Sequence, residues 1–402
     1  MGTYSHLRIN KLVVSWSKNF QMDHTTIFEN ADRGIVDYYF ADDEVIQMPG
    51  YQKNLSDCTS VLKFFGYDAA KVEFELNKKF HDEGIPISYS ILTELFERYG
   101  PSIFKNRDFV EGFHGDCDFG NYSCYLIKKQ YPEIRNKNAE SISSILNGLH
   151  EYEIIAMLST VDSWLDQRIV WETHDLIESG WSSEIELYNL FNQRKAEILI
   201  VTEGKSDSEI IKRAFEKYYP SESKSIEFID MKENYPFTGT GNIANFYLGL
   251  CKIGVKRKIL FIFDNDTEGN KAKNKCEIVN DKYIRCTTLP VLSDFDNFRT
   301  IGPSGEAFEN VNTRAVAIEM FLDQNNENDI PTIRWTNFDK EMNAYQGSLV
   351  DKEKYIKPCL QAFESNSQNY NFERLKKLAQ HVWEEMATLN YEVSENLKKE
   401  EW

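Results

Sequence analysis

The chain has 402 residues, 41% hydrophobic and 13% aromatic, which is ample for packed cores in about two or three domains and excludes a disordered chain. A formal net charge of −18 counts against a long electrostatic footprint on nucleic acid. It does not exclude a nuclease, because carboxylates waiting for divalent metal add negative charge themselves.

The N-terminus, MGTYSHLRINKLVV, lacks a basic segment followed by an apolar core, so no secretory signal is expected. A myristoylation motif would want Ser or Thr where His6 stands. No apolar run approaches the ~20 residues that span a bilayer. Seven scattered cysteines fit a reduced, cytoplasmic setting. The cluster His114-x2-Cys117-x6-Cys124 lacks the paired spacings of a four-ligand zinc site.

Residues 1–105 mix strand-like runs (LRINKLVVSW, GIVDYYFA, ISYSILTELF) with an amphipathic segment around Cys58–Phe65. Residues 121–193 read as mainly helical, with apolar residues at three- and four-residue spacing through SISSILNGLHEYEIIAMLSTVDSWL. From Ala196 the pattern changes. AEILIV, IEFIDM, KILFIFD and DKYIRCTTL read as strands, separated by helices at EIIKRAFEKYY, GNIANFYLGLCKIG (closed by Gly254) and TEGNKAKNKCEIV. Such alternation predicts a mostly parallel α/β sheet with crossover connections. TRAVAIEMFL reads as a further helix, and the last 80 or so residues as an α-rich extension with PTIRW as an extra strand. The expected domains are 1–194 (α+β to about 105, then helix-rich), 195–330 (α/β) and 331–402 (α-rich).

VTEGKSD looks at first like a nucleotide-binding phosphate loop. That loop needs a glycine where this chain has Leu199, inside the strand, so no phosphate cradle can form. The acids carry more. Glu203 sits at the carboxyl end of one strand and Asp207 one turn into the following helix. FIFDND ends another strand with Asp264 and Asp266, which at extended i, i+2 spacing point the same way. Ligands of doubly wound sheets bind outside the carboxyl ends of strands. Either motif alone is an ordinary helix start or solvated turn; the two together predict a carboxylate site for Mg²⁺ or Mn²⁺.

EGKSD after one buried strand and DND after another resemble the Toprim domain of topoisomerases, bacterial primases, small ribonucleases and OLD (overcoming lysogenization defect) nucleases. MGTYSHLRINKLVVSWSKN, TTIFENADR and VLKFFGYD are similar to the N-terminal domain of a bacterial family named for HEPN/Toprim association, in which a Toprim domain follows. The resemblance implies a Rossmann-like Toprim domain behind an α+β N-terminal domain. It implies Glu203 as metal ligand or general acid/base, Asp264 and Asp266 as the metal-binding pair, and Asp207 as the extra acid of the OLD-like branch. That branch adds an acid on a later helix, for which Glu319 is the candidate before Glu306 or Glu309, and a lysine, for which Lys352 is the candidate. No tyrosine-bearing strand-passage domain or primase-type zinc spacing is present, so a nuclease is expected. The OLD ATPase is missing too, so ATP-driven control would come from a separate ATPase or sensor subunit. The implied substrate is DNA or a tRNA-like RNA, the setting defence against phage, and self-association is a further expectation; no membrane partner is implied.

HEPN ribonucleases use Arg and His four to six residues apart, and Arg168-x5-His174 fits on a presumed helix, as do Arg107-x6-His114 and Arg374-x6-His381. Three matches in one chain make the spacing weak, and none has the usual polar residue after the arginine. The alternatives to a metal-dependent nuclease are therefore a metal-independent ribonuclease at Arg168 and His174, or a non-catalytic regulatory or scaffold subunit.

Overall fold

The computed structural model describes residues 2–39, 45–101, 118–134, 137–192, 196–229, 239–324 and 330–400. The chain divides into two compact units, Met1–Arg194 and Lys195–Trp402, each described by itself. Among the described residues no helix is long and apolar enough to cross a membrane.

The first unit contains a five-stranded antiparallel sheet. β1 (Tyr4–Ile9) and β2 (Leu12–Lys18) form a hairpin that turns at Asn10, whose φ of 56° suits asparagine's tolerance of left-handed backbone. β3 (Arg33–Tyr39) and β4 (Val45–Asn54) form a second. Among the described residues six helices follow: α1 (Thr59–Phe64), α2 (Ala69–Asp82), α3 (Tyr89–Tyr99), α4 (Phe119–Gln130), α5 (Lys137–Asn147) and α6 (Glu151–Leu158). β5 (Arg168–Glu172) then inserts between β1 and β4, giving the order β2-β1-β5-β4-β3. α7 (His174–Glu178) and α8 (Glu184–Asn192) close the unit.

Three sequence expectations need correction here. ISYSILTELF forms helix α3, not a strand. Ser88 caps it by accepting from the Ile91 N–H at 3.3 Å, and Tyr89, Leu92, Leu95 and Phe96 fall on one buried face. RIVWETH is not one helix: Arg168–Glu172 is a central strand whose Trp171 lies opposite Leu7 and Tyr51, and His174 begins α7. A strand buried on both sides shows no alternation, so within a helical stretch its period gives no warning. The long helical run 141–165 also breaks, because His150 and Glu153 cap a new helix.

The second unit is α/β. β6 (Ile198–Thr202), α9 (Lys205–Tyr218), β7 (Ile226–Phe228), α10 (Thr240–Ile253), β8 (Lys258–Phe263), β9 (Asn265–Asp266), α11 (Thr267–Glu277) and β10 (Ile284–Thr288) follow in turn. β10-β8-β6-β7 pair in parallel, so the carboxyl ends of β6 and β8 lie side by side, Thr202 opposite Ile262. α10 stops at Gly254, which takes φ 68° as a left-handed cap.

A second sheet, ordered β12-β11-β14-β15, is built from β11 (Phe298–Gly302), β12 (Gly305–Glu309), β14 (Ile333–Asp339) and β15 (Ala344–Leu349). Between its hairpins, β13 (Ala315–Val316) pairs with β9. α12 (Glu353–Glu364) and α13 (Glu373–Glu400) complete the unit, with α13 packed on α9 and β8. TRAVAIEMFL is thus a short strand and a single 3-10 turn, Ile318–Phe321, rather than a helix. The α-rich extension begins with two strands, and β14 joins β11 by parallel pairing.

Candidate active site

β6 and β8 end at the same edge of the parallel sheet, and the next residue of each is an acid. The Glu203 carboxylate reaches across: Oε1 accepts from the Asp264 N–H at 3.0 Å, and Oε2 accepts from the Thr240 hydroxyl at 2.6 Å. Asp207, in the first turn of α9, accepts from the Gly204 N–H at 2.8 Å and so serves as that helix's cap. Asp266 caps α11 through Oδ1, which accepts from the Gly269 N–H at 2.7 Å, while Gln346 of β15 donates to Oδ2. The Asp264 carboxylate has no hydrogen-bond partner among the described residues.

Glu319 comes from much further along the chain. β13 pairs antiparallel with β9, Ala315 opposite Asp266, so the following turn lies beside the acids. β13 also rests on β15 at Gly347, where any Cβ would sit 2.7 Å from Ala315 Cβ. Glu319 is 4% exposed; its Oε1 meets Lys352 Nζ at 3.2 Å, and its Oε2 is buried with no partner. Gly269 is needed for an equally close approach, since a Cβ there would lie 2.1 Å from the Asp264 carbonyl oxygen. α11 can reach the strand end only without a side chain at that position.

Desolvation is the largest influence on these acids; neighbouring carboxylates add to it at Glu203, Asp207 and Asp264. Burial, with Asp266 and Asp207 nearby, raises the Glu203 carboxyl to about 7 against the hydrogen bonds it accepts. Burial and Glu319 raise Asp207 to about 6, opposed by the Gly204 N–H and by Lys352. Asp264 is pushed well above the usual range by burial, then by Asp207, Glu203, Asp266 and Glu319. Burial raises Asp266 despite its helix-cap bonds and Gln346. Burial alone would lower the Lys352 ammonium, but Glu319, Asp264 and Asp207 hold it above its ordinary value.

Among the described residues five carboxylates therefore share the Lys352 ammonium. A proton is the cheapest relief for such a cluster, and a hard divalent cation is the stronger one. The all-oxygen donor set and the unpartnered buried Glu319 Oε2 fit such an ion in chemistry. Among the described residues no three His, Cys, Asp or Glu side chains are gathered into a ready metal-holding group, so the fit is not a preset coordination shell. A cavity of about 760 Å³ lies elsewhere, along β10 and α13; charge, not volume, marks this site.

The other sequence candidates have partners of their own among the described residues. Glu306 pairs with Arg299 at 2.8 Å. Glu309 accepts from Thr300 and Trp335, which hold its carboxyl below the usual range. Arg168 opens β5 and donates to Gln52 at 2.8 Å, whereas His174 lies past the strand's other end, 3.7 Å from Glu178. A five-residue strand spans about 13 Å, so this pair does not meet as successive turns of a helix would. Arg374 pairs with Asp294 at 2.9 Å, and His381 Nε2 lies 2.9 Å from the Thr288 carbonyl. Cys124 is buried on α4, and its thiol is pushed up by that burial. Arg107, His114 and Cys117 lie outside the described residues.

Thr240 and Gln346 are participants that sequence reasoning missed. Thr240 lies between Gly239 and Gly241 at a helix start, a weak but readable signal. Gln346 had none, because its strand comes 80 residues after the acid it touches.

Compared with known proteins, the chain has no match among curated sequences or solved structures. Residues 1–195 match the family model "HEPN/Toprim N-terminal domain 1". Residues 1–195, just under half of the chain, are thus similar to that domain, which supports the HEPN/Toprim-associated family.

Proposed function

We propose that the chain is a divalent-metal-dependent nuclease whose second unit is an OLD-like Toprim domain. The observation that carries this reading is the Glu203 Oε1 contact with the Asp264 N–H, by which acids from two strand tips share one electrostatic site. The family name lends support, since it joins two nuclease-associated domains.

Glu203, Asp207, Asp264 and Asp266 would hold Mg²⁺ or Mn²⁺, with Glu319 in support. When bound, a pair of such ions activates a water and stabilises the leaving oxygen of a phosphodiester. The chain's own groups prepare the rest. Thr240 and the Asp264 N–H orient the Glu203 carboxyl, which burial holds above the usual carboxylate range in the metal-free site. Gln346 and the Gly269 N–H fix Asp266. Lys352 is half exposed and offers positive charge to a phosphate's developing anion. Substrates would be DNA or a tRNA-like RNA, in cytoplasmic defence against phage, with a separate ATPase or sensor subunit or a second copy as partner.

The test is incubation of purified protein with plasmid and with total tRNA in Mg²⁺ or Mn²⁺. Metal-dependent cutting lost in Asp264→Ala and Asp266→Ala is the expected result. Cutting that survives both changes rejects the assigned site, and loss in His174→Ala alone moves the activity to the first unit.

A further inference from the structure

The hairpin β14–β15 is fastened to α11, the helix that starts beside Asp266. Thr267 Oγ1 donates to the Tyr345 carbonyl at 3.0 Å, and the Glu268 N–H donates to Gln346 Oε1 at 3.1 Å. Lys271 meets Asp339 at 3.1 Å and Glu341 at 2.6 Å. These contacts use backbone, amide and charge, and they leave the hairpin's rings open to solvent. Phe338 and Tyr345 are cross-strand partners with ring centroids 5.0 Å apart, and they are 45% and 39% exposed. Trp335 continues the row 6.5 Å from Tyr345, with the Arg314 guanidinium 4.7 Å from its own ring.

The hairpin's charges point the same way. Its two acids, Asp339 and Glu341, are both taken up by Lys271. Arg334 and Lys340 are exposed and pair with no acid among the described residues. Exposed rings with unpaired cations beside them suit single-stranded nucleic acid, because every base offers a π-face and stacking tolerates any sequence. In a duplex those faces are already stacked on one another. A chain of net charge −18 is poorly suited to gripping a duplex through its phosphates, so stacking has to carry the affinity.

We propose that Phe338 and Tyr345 form a stacking platform for unpaired nucleobases, which presents a single strand or a loop to the acids. The proposal rests on the nuclease reading for what is cut, while the platform binds whether or not cutting follows. Tyr345 and Gln346 are neighbours in β15, and Gln346 donates to Asp266, so the platform begins one residue from the acidic edge. Arg334 and Lys340 meet the flanking phosphates. Base-paired nucleic acid is the poorer substrate, because its bases must first be unstacked.

The full-length protein is titrated in Ca²⁺ against labelled oligothymidylate, oligouridylate and a mixed-sequence duplex of equal length, with fluorescence anisotropy as the readout. Single strands should bind at least about tenfold more tightly than the duplex, and the tighter of the two homopolymers distinguishes DNA from RNA. Tyr345→Ala and Phe338→Ala should each weaken single-strand binding about tenfold and leave duplex binding unchanged. Tyr345→Phe, which keeps the ring, should bind as the wild type does. Should the alanine variants unfold, photocrosslinking of a bromouridine-substituted strand to the wild type decides. Trypsin cuts after Arg334, Lys340 and Lys352 place the two rings in peptides 335–340 and 341–352, where the crosslink should fall. Crosslinks confined to the first unit, or equal affinity for single strand and duplex, overturn the proposal. So does self-association lost in the alanine variants while their strand binding is kept, which makes the rings a contact between two copies. Cleavage that needs Asp264 but ignores both rings rejects the platform and keeps the nuclease. Strand binding lost in Tyr345→Ala, in a protein that cuts nothing, keeps the platform and rejects the nuclease.

Discussion

Glu172 in the first unit and Glu319 in the second are equally buried, each 4% exposed, yet their surroundings are opposite. Both Glu172 oxygens are engaged, Oε1 by Arg8 Nε at 2.9 Å and Oε2 by His6 Nδ1 at 2.6 Å. Glu319 has one oxygen on Lys352 and one without a partner, and four more acids lie beside it. Burying a charge is costly unless it is paired. A buried carboxylate with its cations already in place is part of a scaffold. A cluster short of cations is unstable by itself and is retained where something else will bind.

That contrast can be broken most directly at Asp264. Asp264→Ala should lower metal-dependent cleavage by about 10³-fold or more, the scale of removing a key electrostatic group. In chelator the same change should raise the melting temperature of the second unit, because it removes repulsion; a fall would place Asp264 with Glu172 as a structural acid. Glu172→Ala should do the reverse, destabilising the first unit by about 3–5 kcal/mol in urea titration, since Arg8 is left buried and uncompensated.

The two units should also differ in their response to acid. His24 is 2% exposed, and burial lowers it from 6.5 to about 4, with Asp23 opposing and His150 adding to the shift. Between those values the unfolded chain binds the extra proton. The contribution is therefore complete above pH 6.5 and lost as pH falls towards 4, by about 2 kcal/mol between pH 7 and pH 5. Urea unfolding across that range, with His24→Gln as the flat control, measures it. Metal-free, the second unit should gain stability over the same interval, because Glu203 and Asp207 are raised and the folded form takes up the proton first.

Gly269→Ala should cost about 1–3 kcal/mol and reduce cleavage with it, as the new methyl meets the Asp264 carbonyl. The smallest effect is expected from Arg168→Ala with His174→Ala, which should leave cleavage unchanged in the plasmid and tRNA assay.

Short-range patterns were the legible part of this molecule. The apolar runs before Glu203 and Asp264, the helices after them and the stop at Gly254 follow from local periodicity and capping, so the parallel sheet and its acidic edge could be read from residue order alone. The misread segments were those where neighbours along the chain do not decide the outcome. Tyr89–Tyr99 became a helix because one face packs into a core, and Arg168–Glu172 a strand because β1 and β4 flank it. Lys352 and Glu319 could be named as candidates, but nothing in the intervening residues brings them together. Their contact depends on β13 pairing with β9 and resting on Gly347 of β15, which are pairings across tens of residues. Such contacts form only when the whole unit closes, because their loop-closure cost is recovered by burial and hydrogen bonds that no short segment makes alone.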